Sequence, residues 1–223
     1  MASERQQLAR VSGLLYAVVI AAALFAEVGA RGAVRVDGDA AATAARLAEH
    51  AGLFRLGVLA DLLAFLCDAV LAALLFVLLR PAGQTLALAA AALRLTGTAV
   101  YGLNLLHAHA ALMVLGPGGP TAFPPEQREA LAAFLLELHA TGYDLGLVFF
   151  GAHCLLLGWL LIRATGGGSW LGFLLGCGGL VYLLGSAMHL HSSTAAAAFV
   201  PLYAVPLLAE VALSLWLLSG RPR

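Results

Sequence analysis

Apolar residues run for about twenty positions six times along this chain, with most polar residues gathered into the intervals between the runs. The runs extend from Leu8 to Ala30, Leu53 to Leu79, Thr85 to Leu115, Gly142 to Ile162, Trp170 to Leu190 and Phe199 to Leu218. Each is long enough to cross a hydrocarbon layer of about 30 Å as a helix. Lipid offers backbone groups no partner outside their own segment, and the ten-residue alternating segments of a membrane barrel are absent. The pattern therefore predicts an all-α fold, a polytopic transmembrane helix bundle of about six spans forming one integral membrane domain over residues 1–223.

The intervals differ in length. Pro81 to Gln84 and Ala164 to Ser169 are tight, whereas two intervals on the opposite face hold amphipathic segments, from about Asp39 to His50 and from Pro125 to Leu138. Asp37 or Asp39 suits the N-cap of the first, and Pro124-Pro125 opens the second in the way proline tolerates. Two short outer amphipathic helices are thus expected, lying on the membrane surface as lids. The first apolar run has the basic flank of a signal peptide in Arg5 and Arg10. Its length, and the absence of a small-x-small cleavage pattern at Ala26-Glu27-Val28, make it a retained span.

Composition agrees with a lipid solvent: 62% of the 223 residues are apolar, 11% are charged, and mean hydropathy is +0.94. All twelve basic residues are Arg and the net charge is zero, so no basic patch points to nucleic acid. With the amino terminus inside, Arg5, Arg10, Arg80, Arg163, Arg221 and Arg223 are cytoplasmic, against Arg31, Arg35, Arg46 and Arg128 outside. That excess places the chain in the cell (cytoplasmic) membrane as a multi-pass protein with both termini cytoplasmic. Cys67, Cys154 and Cys177 all lie in apolar runs without a C-x-x-C pair and read as small hydrophobes. Gly172, Gly176, Gly178 and Gly179 give spacings that let membrane helices approach closely, which suits internal packing or a homodimer.

The charges inside the runs carry the functional signal, since each costs about 2.5 to 3.5 kcal/mol on insertion scales. Counting helical rise from the cytoplasmic ends puts Asp68, Arg94, His153 and Glu210 at roughly 13 to 18 Å, near the bilayer middle. In one reading Arg94 neutralises Asp68, Glu210 or both and holds three helices in register. In the other, one cation facing two acids leaves a carboxyl able to take up and release a proton. Glu27, Asp61, Asn104, Asp144 and His189 fall at roughly 25 to 28 Å by the same count, with Arg55, Glu137, His139 and Tyr143 able to join them. Within that layer, Asp61, Asn104, His139, Tyr143 and Asp144 are the candidate ligand-binding residues of an outer-leaflet polar pocket for a small solute or lipid head group. Tyr182, Ser186 and His189 share one helix face at i, i+4 and i+7, as do His139 and Tyr143 at i, i+4.

Histidines at His107, His109, His139, His189 and His191 raise metal or haem as a competing expectation. Residues two apart on a helix diverge by about 200°, so each close pair offers one inward ligand. No cofactor is called for, and no metal site is expected. No P-loop, dinucleotide fingerprint, H-E-x-x-H or G-x-S-x-G run is present. Two classes of function stay open: a protein that binds or transports an unknown small molecule, with proton coupling through the mid-membrane charges, and a membrane-embedded enzyme using metal, haem or paired carboxylates.

The run from Gly142 to Gly158, GYDLGLVFFGAHCLLLG, resembles the hallmark segment of an uncharacterised bacterial membrane family known as domain of unknown function 4386. Gly13 to Tyr16, Phe54 to Gly57, Ala60 to Leu62, Phe65 to Asp68, Arg94-Leu95, Gly102 to Leu106 and His139 are similar to its pattern too. The resemblance spans nearly the whole chain and implies that Arg55, Asp61, Asp68, Arg94, Asn104, His139, Asp144 and His153 belong to the family pattern. It carries no activity. His107, His109, His189 and His191 fall outside the pattern, which counts against a shared histidine metal site. Gly166 to Gly168 stands where the pattern implies a proline-containing turn.

Overall fold

The computed structural model describes residues 2–164, 169–191 and 199–220. Helix α1 (Ala2–Leu24) passes without interruption into a π-helical stretch, Phe25–Arg31, and a closing turn, α2 (Gly32–Val34). A short α3 (Ala40–Glu49) leads into α4 (Ala51–Leu79), which is joined by the 3-10 turn Arg80–Ala82 to α5 (Gln84–Leu115). Then come α6 (Pro125–Ala164), α7 (Trp170–His191), a 3-10 turn at Val200–Tyr203, and α8 (Ala204–Leu218). No strand occurs among the described residues, and six helical segments are long and apolar enough to cross a membrane. The molecule is a multi-pass membrane protein.

Two hydrophobic clusters fix the helices at opposite ends. One joins Leu71, Leu75 and Leu78 of α4 to Leu157 and Leu160 of α6, Leu175 of α7 and Leu213 and Leu217 of α8. It lies on the side that holds both chain ends, where Gly220 packs on Gln6 and Arg10. The second joins Val34, Leu47 of α3, Phe54, Ala108, Leu112 and Ala132 on the opposite side, which carries the long connections. The helix-borne charges sit between and beside these clusters, so their levels follow from the packing.

The α3 helix forms where its cap predicts. Asp39 is the N-cap and accepts from the Ala42 amide at 2.8 Å, and Thr43 Oγ1 both accepts from the Val36 amide and donates to its carbonyl, each at 3.1 Å. Leu47 and Ala44 point into the bundle, so this helix is an integral cover rather than a loose one.

Two boundaries differ from expectation. The segment Pro125 to Leu138 is not a separate surface helix; it is the first third of a 40-residue α6. Thr141 and Gly142 do not break it, because Thr141 Oγ1 bonds back to the Glu137 carbonyl at 3.1 Å and Gly142 lies against Asn104 of α5. The first span also does not stop at Ala30. It continues through Arg31, which the sequence assigns to a loop, because that guanidinium finds the buried Asp61 carboxylate and, one turn back, the exposed one of Glu27. The inner turn at Gly166 to Gly168 and the terminal residues Arg221 and Arg223 lie outside the described residues.

Candidate functional site

Arg94 is the most enclosed charge among the described residues, at 0% exposure. Its Nε and Nη2 donate to Asp68 Oδ1 at 2.9 and 2.5 Å, and Nη1 lies 3.0 Å from His153 Nε2. An arginine only donates, so His153 Nε2 accepts, and its Nδ1 donates to the Ala90 carbonyl at 2.8 Å. The geometry thereby fixes a neutral tautomer for His153. Thr98 Oγ1 donates to the other carboxylate oxygen of Asp68 at 2.6 Å. Above and below, the guanidinium carbon lies 4.8 Å from the Tyr16 ring centre and 4.9 Å from that of Phe150. Helices α1, α4, α5 and α6 are thereby pinned at one level, with every nitrogen of Arg94 partnered. Three of the four residues assigned to the mid-membrane layer, Asp68, Arg94 and His153, meet in this unit.

Glu210 stands apart from it. It shares the level but makes no ion pair with Arg94; instead it accepts from the Tyr182 hydroxyl at 2.6 Å. The Tyr16 hydroxyl faces both Glu210 and Arg94 without a formed hydrogen bond to either.

On the long-connection side, the five candidate ligand-binding residues resolve into separate bonded groups. Asp61, 1% exposed, takes Arg31 Nη1 at 2.5 Å, while Arg31 Nε donates to Glu27 at 2.6 Å. Gly57, one turn before Asp61, faces Ala26 and Ala30 closely enough that a Cβ there would collide, which lets the π-helical stretch bring Arg31 to Asp61. Between α5 and α6, Asn104 Nδ2 donates to the His139 carbonyl at 2.6 Å and its Oδ1 accepts from His107 Nδ1 at 2.9 Å. His139 Nδ1 lies 3.1 Å from the Asn104 carbonyl, to which we assign its proton. Its Nε2 is buried and has no partner among the described residues. Tyr143 packs on Tyr101 in a tilted pair, ring centres 4.7 Å apart, and stands 6.4 Å from the His139 ring. Asp144 pairs with His189 across α6 and α7.

These groups nonetheless form one neighbourhood. Arg31 and Glu27 act electrostatically on both His139 and Tyr143, and Glu27 and Arg35 act on Asp144. Two apolar cavities, one framed by Leu78, Leu161 and Leu217 and one by Leu75, Ala87 and Leu160, lie elsewhere, on the side of the chain ends.

Residues 11–220 match the family described as Domain of unknown function (DUF4386). The chain belongs to this family. No curated protein and no solved structure matches it. The DUF4386 description carries no chemistry, so the roles of these residues rest on their geometry.

In this DUF4386 chain no group of three metal-ligating side chains converges among the described residues. The histidines are occupied singly: His107 with Asn104, His189 with Asp144. Gly158 and Gly172 face each other across α6 and α7, as do Gly151 and Gly179, so Gly172 and Gly179 pack within the chain. Sequence reasoning passed over Arg31, Thr98 and Tyr16 as parts of the polar layers. The signals existed: Arg31 follows Glu27, and Thr98 follows Arg94, at the i, i+4 spacing that puts side chains on one face.

Proposed function

We propose that this protein binds a small, hydrogen-bond-donating or cationic solute, such as an amine, at the polar neighbourhood of Arg31, Asp61, Asn104, His139, Tyr143 and Asp144, for retention or transport. The observation that carries the reading is His139 Nε2, a buried ring nitrogen with no partner among the described residues, which is an acceptor when Nδ1 gives its proton to the Asn104 carbonyl. A buried acceptor left unpaired is costly and is met by a donor. The charge around it favours the same ligand, because Arg31 is already shared between Glu27 and Asp61, and Asp144 adds a further acid. A second negative ligand would have to displace one of these carboxylates.

The orientation that fits is termini cytoplasmic and long connections outside. With Arg31 inside the bundle, the outer connections keep only Arg35, Arg46 and Arg128, which widens the arginine bias. Labelling with a membrane-impermeant thiol reagent on intact cells tests this: a cysteine at Ala45, on the exposed face of α3, reacts and one at Ser219 does not.

Binding is tested by thermal unfolding of the purified protein against a panel of small amines and small carboxylates. An amine should raise the melting temperature, and His139→Phe and Asp61→Asn should remove that increment. Stabilisation by carboxylates alone, or an amine response unchanged in both variants, would show the reading to be wrong.

A further inference from the structure

We propose that Glu210 is a reversible proton-binding carboxyl in mid-membrane, filled from the long-connection side along one face of α7 through Ser186 and Tyr182. This goes beyond the solute site and does not depend on it.

Glu210 is 8% exposed and has no cation in contact. Tyr182 of α7 bonds it, and the groups that act on it or feel its charge come from four more helices: Tyr16 of α1, Asp68 of α4, Arg94 and Tyr101 of α5, and Tyr143 and Cys154 of α6. Arg94 is committed to Asp68, so its charge is already matched. The tyrosines and the thiol are uncharged at neutral pH. A lone carboxylate in such surroundings is costly, and taking up a proton removes the charge.

The route is written in the spacing of α7. Tyr182, Ser186 and His189 fall at i, i+4 and i+7, and cover about 10 Å of helix rise. His189, partly exposed, bonds Asp144 at the outer end of the stripe. Tyr182 bonds Glu210 at its inner end. Between them Ser186 is 0% exposed, and its hydroxyl has no partner among the described residues. A helix serine in a membrane commonly bonds its own i−4 carbonyl. This one does not, and its hydroxyl is left to hold a water between the two ends. In the other direction, Ser214, one turn on, gives its hydroxyl to the Gly13 carbonyl at 2.9 Å, and Leu213 and Leu217 continue along α8 into the leucine cluster with Leu71, Leu75 and Leu157.

The transfer is balanced. The Tyr182 O–H bond breaks as a proton joins Glu210 Oε1, and the tyrosine oxygen takes a proton from the water at Ser186. That water is reprotonated past His189 from the aqueous phase, so the net change is one proton onto one carboxylate with no redox step.

Infrared difference spectroscopy of the protein in lipid nanodiscs, acid minus alkaline, tests the assignment. Wild type should show a protonated-carboxyl C=O band that Glu210→Gln removes and Tyr182→Phe shifts in frequency. After an acid jump, the band should rise roughly a hundredfold more slowly in Tyr182→Phe, the low end of what a positioned proton-transfer group contributes. In Ser186→Ala it should rise more slowly than wild type with unchanged amplitude. A band that survives in Glu210→Gln, or no band in wild type, overturns the proton site. Should Glu210→Gln fail to fold, an unshifted band in Tyr182→Phe overturns it equally. Wild-type rates in both Tyr182→Phe and Ser186→Ala overturn the route.

Discussion

Arg94 and Arg31 are both arginines on membrane helices bound to an aspartate at 2.5 Å, yet their surroundings differ. Arg94 is sealed between two aromatic rings, its partner Asp68 takes a further bond from Thr98, and the adjoining histidine is saturated at both nitrogens. Arg31 divides itself between a buried and a largely exposed acid, next to a histidine with a spare lone pair. Apart from the Tyr16 hydroxyl, the donors and acceptors around Arg94 are paired, and such a filled inventory marks a structural joint. An open one marks a place where something else can bind.

The strongest way to break this contrast is to remove Arg94. Arg94→Leu leaves Asp68 buried and uncompensated and should cost about 3 to 5 kcal/mol. Adding Asp68→Leu should return much of that, because an apolar replacement of a whole buried pair is often tolerated. The same cycle with Glu210→Leu should show little coupling, since Glu210 bonds Tyr182 instead. Thermal unfolding in one detergent at fixed pH measures all of these, and strong coupling to Glu210 would mean that Arg94 serves both acids. A smaller loss is expected from Thr98→Val, about 1.5 to 3 kcal/mol, the range for a hydrogen bond to a charged group. No loss there would show that the Asp68 carboxylate is satisfied without it. The smallest effect belongs to the Arg31 to Asp61 cycle, whose coupling should be about 1 kcal/mol because Arg31 is shared with the largely exposed Glu27 and keeps that partner when Asp61 is removed. A coupling equal to that of Arg94 would erase the distinction between joint and site.

Much of the deep layer was legible from depth alone. Asp68, Arg94 and His153 sit on three different helices, and only rise per residue places them together; their contact follows because lipid gives a charge no other partner. Glu210 has the same depth, but depth does not say which way a helix is turned. The apolar sequences around it are hydrophobic on all sides and give no face to read. The loop-side boundaries failed for a related reason. Arg31 follows an apolar run as a loop residue would, and nothing local shows that Asp61, thirty positions later, is waiting for it. At Thr141-Gly142 a breaker signal was overruled by packing: Gly142 makes room for Asn104, and Gly146 makes room for Tyr101. Those glycines are what allow α5 and α6 to lie close enough for Asn104 to reach His139.

The length of α6 has a mechanical meaning. Forty residues make a rod of about 60 Å, twice the hydrocarbon thickness, with no proline after its first residue to act as a joint. Its far end touches α3, and the same rod carries His139, Tyr143, Asp144 and His153. A tilt of about 10° would swing the protruding half by roughly 5 Å at its tip, and the fulcrum would lie among the side chains that hold the bundle's charges. Whatever leans on the outside of this protein leans, through a single stiff lever, on the middle of the membrane.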